Sequence, residues 1–436
     1  MTSLFSIALA SLAGLTAIPV IVFVAEVAAA LLPVRRSADI GADDILGSIC
    51  VLIPAHNESF HLVPTLKDVR GQLRQQDRLL VVADNCSDDT AAIAAAHGAE
   101  VLRRNDHERI GKGYALAHGL SELQKDPPSF VIFIDADCRV PPDTLASLRV
   151  ACKGYGRPVQ ACFTMKPPQN SPINHCFGEF AWIIKNQVRP MGLWRLRCPV
   201  QLMGTGMIFS WDDITSVSLA SGHLVEDLKL GLDLASKGKA PRFLPSAVVT
   251  SFFPTSAKAS ATQRLRWVRG HLSMVAKIAP GGFLSAILHG NFEYFVLLLD
   301  LIVPPLSLFG LLLVIELVLF SVAAGLGLSS VAMKISALSL AAFVVALGLA
   351  WMKSGRQVLP LRQIGTLVPA VLDKLFLYSK IFSGRSATQW IRTDRGHAVR
   401  EGEVPYGPIS SFKVNERSAR GRSAVGRPSA KSFADQ

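Results

Sequence analysis

The residues best equipped for chemistry are Asp135 and Asp137, which close the apolar run Val131-Ile132-Phe133-Ile134. An uncharged run of β-branched and aromatic residues reads as a strand buried on both faces. Charge at the edge of a core is expensive unless compensated, so two carboxylates there call for a partner. Ligands of open α/β sheets gather at the carboxyl ends of the strands. Paired acids in that position can hold a hard divalent cation, which in turn grips phosphate oxygens. Read alone, the same pair could also be a helix cap and a turn residue.

Other candidates lie further along. Val225-Glu226-Asp227 opens a segment of helical spacing, so Asp227 is either a general base or an acid favoured by a helix N-terminus. Gln263, Arg266 and Trp267 fall at i, i+3 and i+4 and share one helical face. Arg264 and Arg269 lie off that face, and the whole stretch also reads as a basic interfacial helix. Lys112, between Gly111 and Gly113, can bring a point charge to phosphate on a pliable backbone, or be a surface turn. His56, His118, His223 and His271 show no metal-ligand spacing and read as structural.

These residues need a frame to position them, and the order of elements supplies one. Residues 49–53 form an apolar strand ending in Pro54-Ala55-His56-Asn57-Glu58. Residues 79–83 form another, ending in Asp84-Asn85-Cys86-Ser87-Asp88-Asp89-Thr90. An Ala-rich helix over 91–98, a short strand from Val101 and a helix over 114–123 complete a βαβ alternation up to Asp135. Three strands thus deliver polar, acidic residues at one edge of one sheet, which implies a shared ligand.

Composition places this frame at a membrane. Of the 436 residues 50% are hydrophobic and only 18% charged, too apolar for an ordinary soluble chain. Residues 4–32 carry a single charge, Glu26, and are long enough to span a bilayer. The uncharged Met1-Thr2-Ser3 before them and Arg35-Arg36 after them argue for an uncleaved anchor, N-terminus outside. Residues 294–352 read as a transmembrane hairpin, its first helix interrupted by Asp300 and Pro304-Pro305. Residues 43–280 are then the cytoplasmic domain. Asp373, Lys374 and Lys380 make 364–395 an interfacial amphipathic and basic segment, and 396–436 reads as a flexible tail. The net charge of +12 suits anionic lipid better than nucleic acid, since no nucleic-acid module is visible. Seven scattered cysteines without Cys-x-x-Cys indicate neither a disulfide framework nor a zinc site.

In this order, Pro54 to Glu58, Asp84 to Thr90, Gly111-Lys112-Gly113 and Asp135-Ala136-Asp137 resemble the nucleotide-sugar half of family 2 glycosyltransferases. Gly204-Thr205-Gly206-Met207, Val225-Glu226-Asp227 and Gln263-Arg264-Leu265-Arg266-Trp267 resemble the acceptor loop, base motif and Gln-x-x-Arg-Trp motif of membrane-embedded members. Those members include cellulose, hyaluronan and poly-N-acetylglucosamine synthases. Trp390-Ile391-Arg392-Thr393 matches a further signature. The resemblance implies a GT-A-type α/β nucleotide-sugar-binding domain with N-terminal and C-terminal transmembrane helices.

It further implies inverting transfer of a hexose or N-acetylhexosamine from a UDP-sugar to a growing cell-surface polysaccharide. The location implied is the bacterial inner (plasma) membrane. Asp137 would bind Mg²⁺ or Mn²⁺ and Asp135 the ribose or sugar; Asp84 would meet the base, and Pro54, Ala55 and Glu58 would shape the nucleotide pocket. Lys112 and Gln263 would complete the donor site, Asp227 would be the base, Arg266 would fork onto the diphosphate and Trp267 would stack on the acceptor sugar. Asn85 stands where many members carry a second acid, and Val225 where they often carry Thr. A homo-oligomer or export partner would supply a pore that three spans do not. Addition of one sugar to a polyprenyl-diphosphate-linked oligosaccharide is the alternative, with an inactive nucleotide-sensing scaffold behind it. A transporter is least favoured, because the spans show no intramembrane charged pairs and no inverted repeats.

Overall fold

The computed structural model describes residues 2–33, 47–168, 175–220 and 222–364. The segments 365–395 and 396–436, including Trp390, lie outside the described residues.

One seven-stranded sheet carries the catalytic half. Its strands are β1 (Ile49–Ala55), β2 (Arg78–Asp84), β3 (Glu100–Arg104), β4 (Phe130–Phe133), β5 (Val159–Lys166), β6 (Met207–Ser210) and β7 (Arg242–Phe252), in the order β3-β2-β1-β4-β6-β5-β7. The first four pair in parallel, β6 runs antiparallel to β4 and β5, and β5 pairs in parallel with β7. Because side chains alternate along a strand, Val51 and Ile53 face one layer and Cys50 and Leu52 the other. Helices α2 (Leu62–Arg70), α3 (Thr90–Ala96) and α5 (Thr144–Tyr155) cover the first face through Leu66, Ala94 and Leu148. Helix α4 (Lys112–Leu123), with Leu116 and Leu123, covers the other. Each fully buried aliphatic side chain contributes about 1.5–3 kcal/mol of transfer free energy. This is the α/β architecture expected of a GT-A-type domain, and the acid-bearing strand ends converge on one edge.

The apolar N-terminal segment is the helix α1 (Thr2–Leu31). Between β5 and β6 run α6 (Cys176–Ile183), a π-helical turn (Ile184–Val188) and α7 (Arg189–Arg195); α8 (Trp211–Thr215) and α9 (Glu226–Ser236) follow β6. After β7 come α10 (Ala257–Leu288), α11 (Phe292–Leu301), α12 (Leu306–Gly325) and α13 (Ser330–Ala350). The hairpin's first helix is therefore two: Pro304 and Pro305 supply no N–H and break it between α11 and α12.

Four helical stretches are long and apolar enough to cross a membrane: Leu4–Leu31, Ala257–Leu288, Leu306–Gly325 and Ser330–Gly355. The second was not among the expected spans, and α10 runs through Pro280 without ending there. It nevertheless packs along the catalytic domain. Met274 and Ala286 share a core with Leu232 and Ala235 of α9 and with Leu297 and Leu298 of α11. Length and composition would let α10 cross a membrane, while its packing ties it to the sheet domain.

The other three form a bundle. Ser329 Oγ at the α12–α13 turn donates to the Ser6 carbonyl, while Lys353 donates to that of Ala30 at the opposite end. Halfway along, Glu316 of α12 accepts hydrogen bonds from Thr16 of α1 and Ser336 of α13 at 2.7 and 3.0 Å. All three helices thus share one end next to the catalytic domain.

The expectation of an anchor without charged pairs is corrected here. Glu26, 2% exposed, pairs with Arg189 of α7, and Arg189 also pairs with Asp300 of α11, both at 2.5 Å. Gly192, one turn on, permits this approach, since a Cβ there would fall 1.9 Å from the Glu26 carbonyl oxygen. Asp300, which reads in sequence as an interruption, is a fastening. Breaking a buried ion pair by removing one partner costs about 3–5 kcal/mol. Arg189→Met should lower the thermal unfolding midpoint in detergent by that margin, and Glu26→Gln/Arg189→Met/Asp300→Asn should recover much of it. An unchanged midpoint for the single variant would refute the fastening.

Candidate active site

Phe133 ends β4 and the chain turns out of the sheet at Asp135. Asp135 N–H donates to Thr205 Oγ1 at 3.0 Å, so the Gly204-Thr205-Gly206 loop fixes this turn. Gln160, fully buried in β5, holds the loop by accepting from Met203 N–H and donating to the Thr205 carbonyl. Gly204 adopts φ +94°, and its carbonyl accepts from Lys112 Nζ at 2.7 Å. A Cβ at 204 would lie 3.4 Å from Asp227 Oδ2, so a side chain there would crowd the acid.

Lys112, first residue of α4, pairs with Asp135 at 2.5 Å and lies 3.8 Å from Glu226. Its glycine neighbours serve less to free it than to start a helix that aims it at the acids. The three surrounding carboxylates outweigh its burial and hold its charge firmly on. Asp84 ends β2 paired with Arg104 at 2.6 Å, and His56 Nδ1 lies 2.6 Å from the Asp84 carbonyl oxygen. Arg104 in turn sits over the Tyr114 ring. This cation occupies the place of charge balance that a second acid at Asn85 would have altered.

A cavity of about 240 Å³ lies over this sheet edge. Pro54, Ala55, Glu58, Asp84, Lys112, Asp135, Asp137, Asp227, Gln263, Arg266 and Trp267 all line it. The eleven residues expected from sequence to form the donor, metal and catalytic site are therefore brought together. The cavity also includes Trp182, Lys185, Asn186, Glu226 and Ser251, which sequence reasoning missed, and His56 and His271, which it set aside as structural. Glu226 had a signal, being adjacent to Asp227. Trp182, Lys185 and Asn186 had none, because they arrive on α6 and the π-turn from a stretch with no motif. Asn186 is 1% exposed with neither amide atom hydrogen-bonded; it shares with His271 a chamber of about 30 Å³, room for a bridging water.

The donor set suits a hard cation. Carboxylate oxygens of Asp135 and Asp137 and the Cys138 sulfur lie within 4.8 Å of one another. Cys138 is buried against the Thr205 hydroxyl and its thiol is pushed up, so carboxylate oxygen rather than sulfur suits Mg²⁺ or Mn²⁺ here. Ser251 Oγ donates to Asp137 at 2.7 Å and orients it.

Asp227 and Glu226 open α9 side by side. Burial raises both: Glu226 reaches about 7, and Asp227 is raised less than burial alone would dictate because Lys185 and Lys112 oppose the shift. The pair titrates as a unit. A base must be ionised to accept a proton, so turnover should fall as pH drops through the range, raised above that of ordinary carboxylates, in which this pair takes up protons. Glu226→Gln removes a neighbouring negative charge, eases Asp227 ionisation and should move the acid limb of kcat/KM to lower pH. An unmoved limb would refute the coupling.

An α/β sheet with acids at its strand ends, a hard-cation donor set and a buried pair of acids beside a lysine is an arrangement suited to a nucleotide-dependent transferase. The match to known families is direct. A family model described as glycosyl transferase family group 2 matches residues 130–353, more than half of the chain, and glycosyl transferase family 2 matches residues 50–156. The chain belongs to glycosyl transferase family group 2. It is 27% identical over 257 residues to the probable glycosyltransferase YdaM of Bacillus subtilis, covering 53% of this chain and 57% of that protein. The matched region thus spans little more than half of that relative's length. The mannosyltransferase PcManGT of Pyrobaculum calidifontis, solved with GDP-Man and Mn²⁺, is similar at 17% identity and a TM-score of 0.47, covering 79% of this chain and 98% of that one. Glucosyl-3-phosphoglycerate synthase of Mycobacterium tuberculosis, solved with Mn²⁺, UDP and phosphoglyceric acid, is similar at 21% identity and a TM-score of 0.38, covering 56% and 83%.

Proposed function

We propose that this glycosyltransferase moves a hexose or N-acetylhexosamine from a UDP-sugar to a growing cell-surface saccharide at the membrane, with inversion at the anomeric carbon. The observation that carries this reading is the placement of Asp227 and Asp137 in one cavity with Arg266 and Trp267. Asp137 would hold Mg²⁺ or Mn²⁺, which when bound neutralises charge on the diphosphate, and Asp135, paired with Lys112, would meet the ribose or sugar. Asp84 accepts a hydrogen bond from the base, and Pro54, Ala55 and Glu58 shape the pocket around the nucleoside. Lys112 and Arg266 bring positive charge to the departing phosphates, and Gln263 orients the sugar. The acceptor ring stacks on Trp267, and its hydroxyl gives its proton to Asp227 as it attacks opposite the leaving group.

The same reading puts the catalytic domain on the cytoplasmic side and the N-terminus outside, in a bacterial plasma membrane. Arg35 and Arg36 after the first span, with Lys353 at the end of the last span and Arg356 just beyond it, supply the inside positive charge. Offering the purified chain a panel of labelled UDP-sugars and GDP-mannose with Mn²⁺ tests it. One UDP-sugar should yield UDP and a glycosylated product; turnover of GDP-mannose alone would overturn the donor assignment.

A further inference from the structure

A second cavity of about 440 Å³ adjoins the first, and the reaction just described leaves it unused. Its walls are Phe23 of α1, Phe177 of α6, Val268 of α10 and Pro305 and Phe309 at the head of α12, so it lies where the helical bundle meets the catalytic domain. Trp182, Lys185, Gln263, Trp267 and His271 line both cavities. The two chambers meet across the Trp182–Trp267 pair, whose ring centroids are 5.2 Å apart.

The charge of this chamber is one-sided. Among its described lining residues are Lys185, Arg189 and Arg264 but no Asp or Glu. Arg189 is neutralised from behind by Glu26 and Asp300. Lys185 is not: among the described residues it makes no hydrogen bond and no ion pair, and its exposed side chain projects into the cavity. Lys185 also lines the reaction cavity together with Asp227, which puts the lysine beside the proposed base. A cation that faces an apolar chamber with no partner in hydrogen-bond reach among the described residues offers an entering anion a charge-assisted contact.

Resting on the transferase reading above, we propose that this chamber receives the tail of a membrane lipid that carries the acceptor saccharide through a phosphate linkage, and that Lys185 binds the phosphate. The apolar wall, continuous with α1 and α12, suits the tail. The passage past the two tryptophans suits the sugar, whose hydroxyl then reaches Asp227.

The test uses the full chain in phosphatidylcholine nanodiscs with Mn²⁺ and the UDP-sugar it hydrolyses. Three acceptors are compared: a polyprenyl-diphosphate-linked N-acetylglucosamine, a neutral alkyl N-acetylglucosaminide and soluble N-acetylglucosamine 1-phosphate. The lipid diphosphate should show a KM at least about tenfold below the other two, the scale of one charge-assisted contact. Lys185→Met should erase its advantage over the neutral glycoside. Ala261→Phe, which fills the chamber from α10, should erase its advantage over the soluble phosphate while leaving acceptor-free UDP release intact. Equal use of the soluble phosphate, or a Lys185→Met loss shared by the neutral glycoside, overturns the lipid site alone. Absence of any UDP release overturns the transferase reading with it.

Discussion

Asp227→Asn should reduce glycosyl transfer by about 10²–10⁴-fold, the range that a positioned general base contributes, while the donor still binds. The substitution keeps shape and removes only the ability to take a proton. Asp227 is fixed for that task by the first turn of α9 and by the loop at Gly204, whose backbone leaves room beside its carboxylate. Binding of UDP by calorimetry should change little, because the proposed donor contacts are those of Asp84, Lys112 and Arg266. A loss confined to kcat is the expected pattern. Turnover within tenfold of the unmodified enzyme would remove Asp227 from the role and pass it to Glu226 beside it.

The second large effect is at the strand end. Asp137→Ala should abolish the Mn²⁺-dependent part of UDP binding, lowering affinity at least about 100-fold, since even outer partners of a metal alter its affinity 10- to 100-fold. Binding without Mn²⁺ should be equally weak in both proteins. Asp135 cannot substitute, because its carboxylate is engaged by Lys112. Titration with UDP in the presence and absence of Mn²⁺ measures both arms; a metal increment retained in Asp137→Ala would refute the assignment.

Much of this site was legible before any coordinates, because its residues sit where periodic patterns stop. Buried runs such as residues 49–53 and 131–134 fix strands, and whatever polar residue follows must lie at the sheet edge. Helical spacing likewise put Gln263, Arg266 and Trp267 on one face. What stayed hidden depends on tertiary contact. Trp182 reaches the cavity from α6 and Lys185 and Asn186 from the π-turn that follows it, and nothing in their local spacing announces it. Glu26 and Asp300 look like blemishes in apolar runs until Arg189 from a distant segment joins them. Helix α10 outlasts Pro280 because α9 and α11 hold its far half in place.

The central claim is inverting transfer from a UDP-sugar, and the anomeric configuration of the product tests it most directly. With an α-linked UDP-sugar, Mn²⁺ and the purified chain, one-bond carbon–proton coupling at the new anomeric centre should report a β linkage. A product that retains the α configuration would contradict the single-displacement role given to Asp227 and the account built on it.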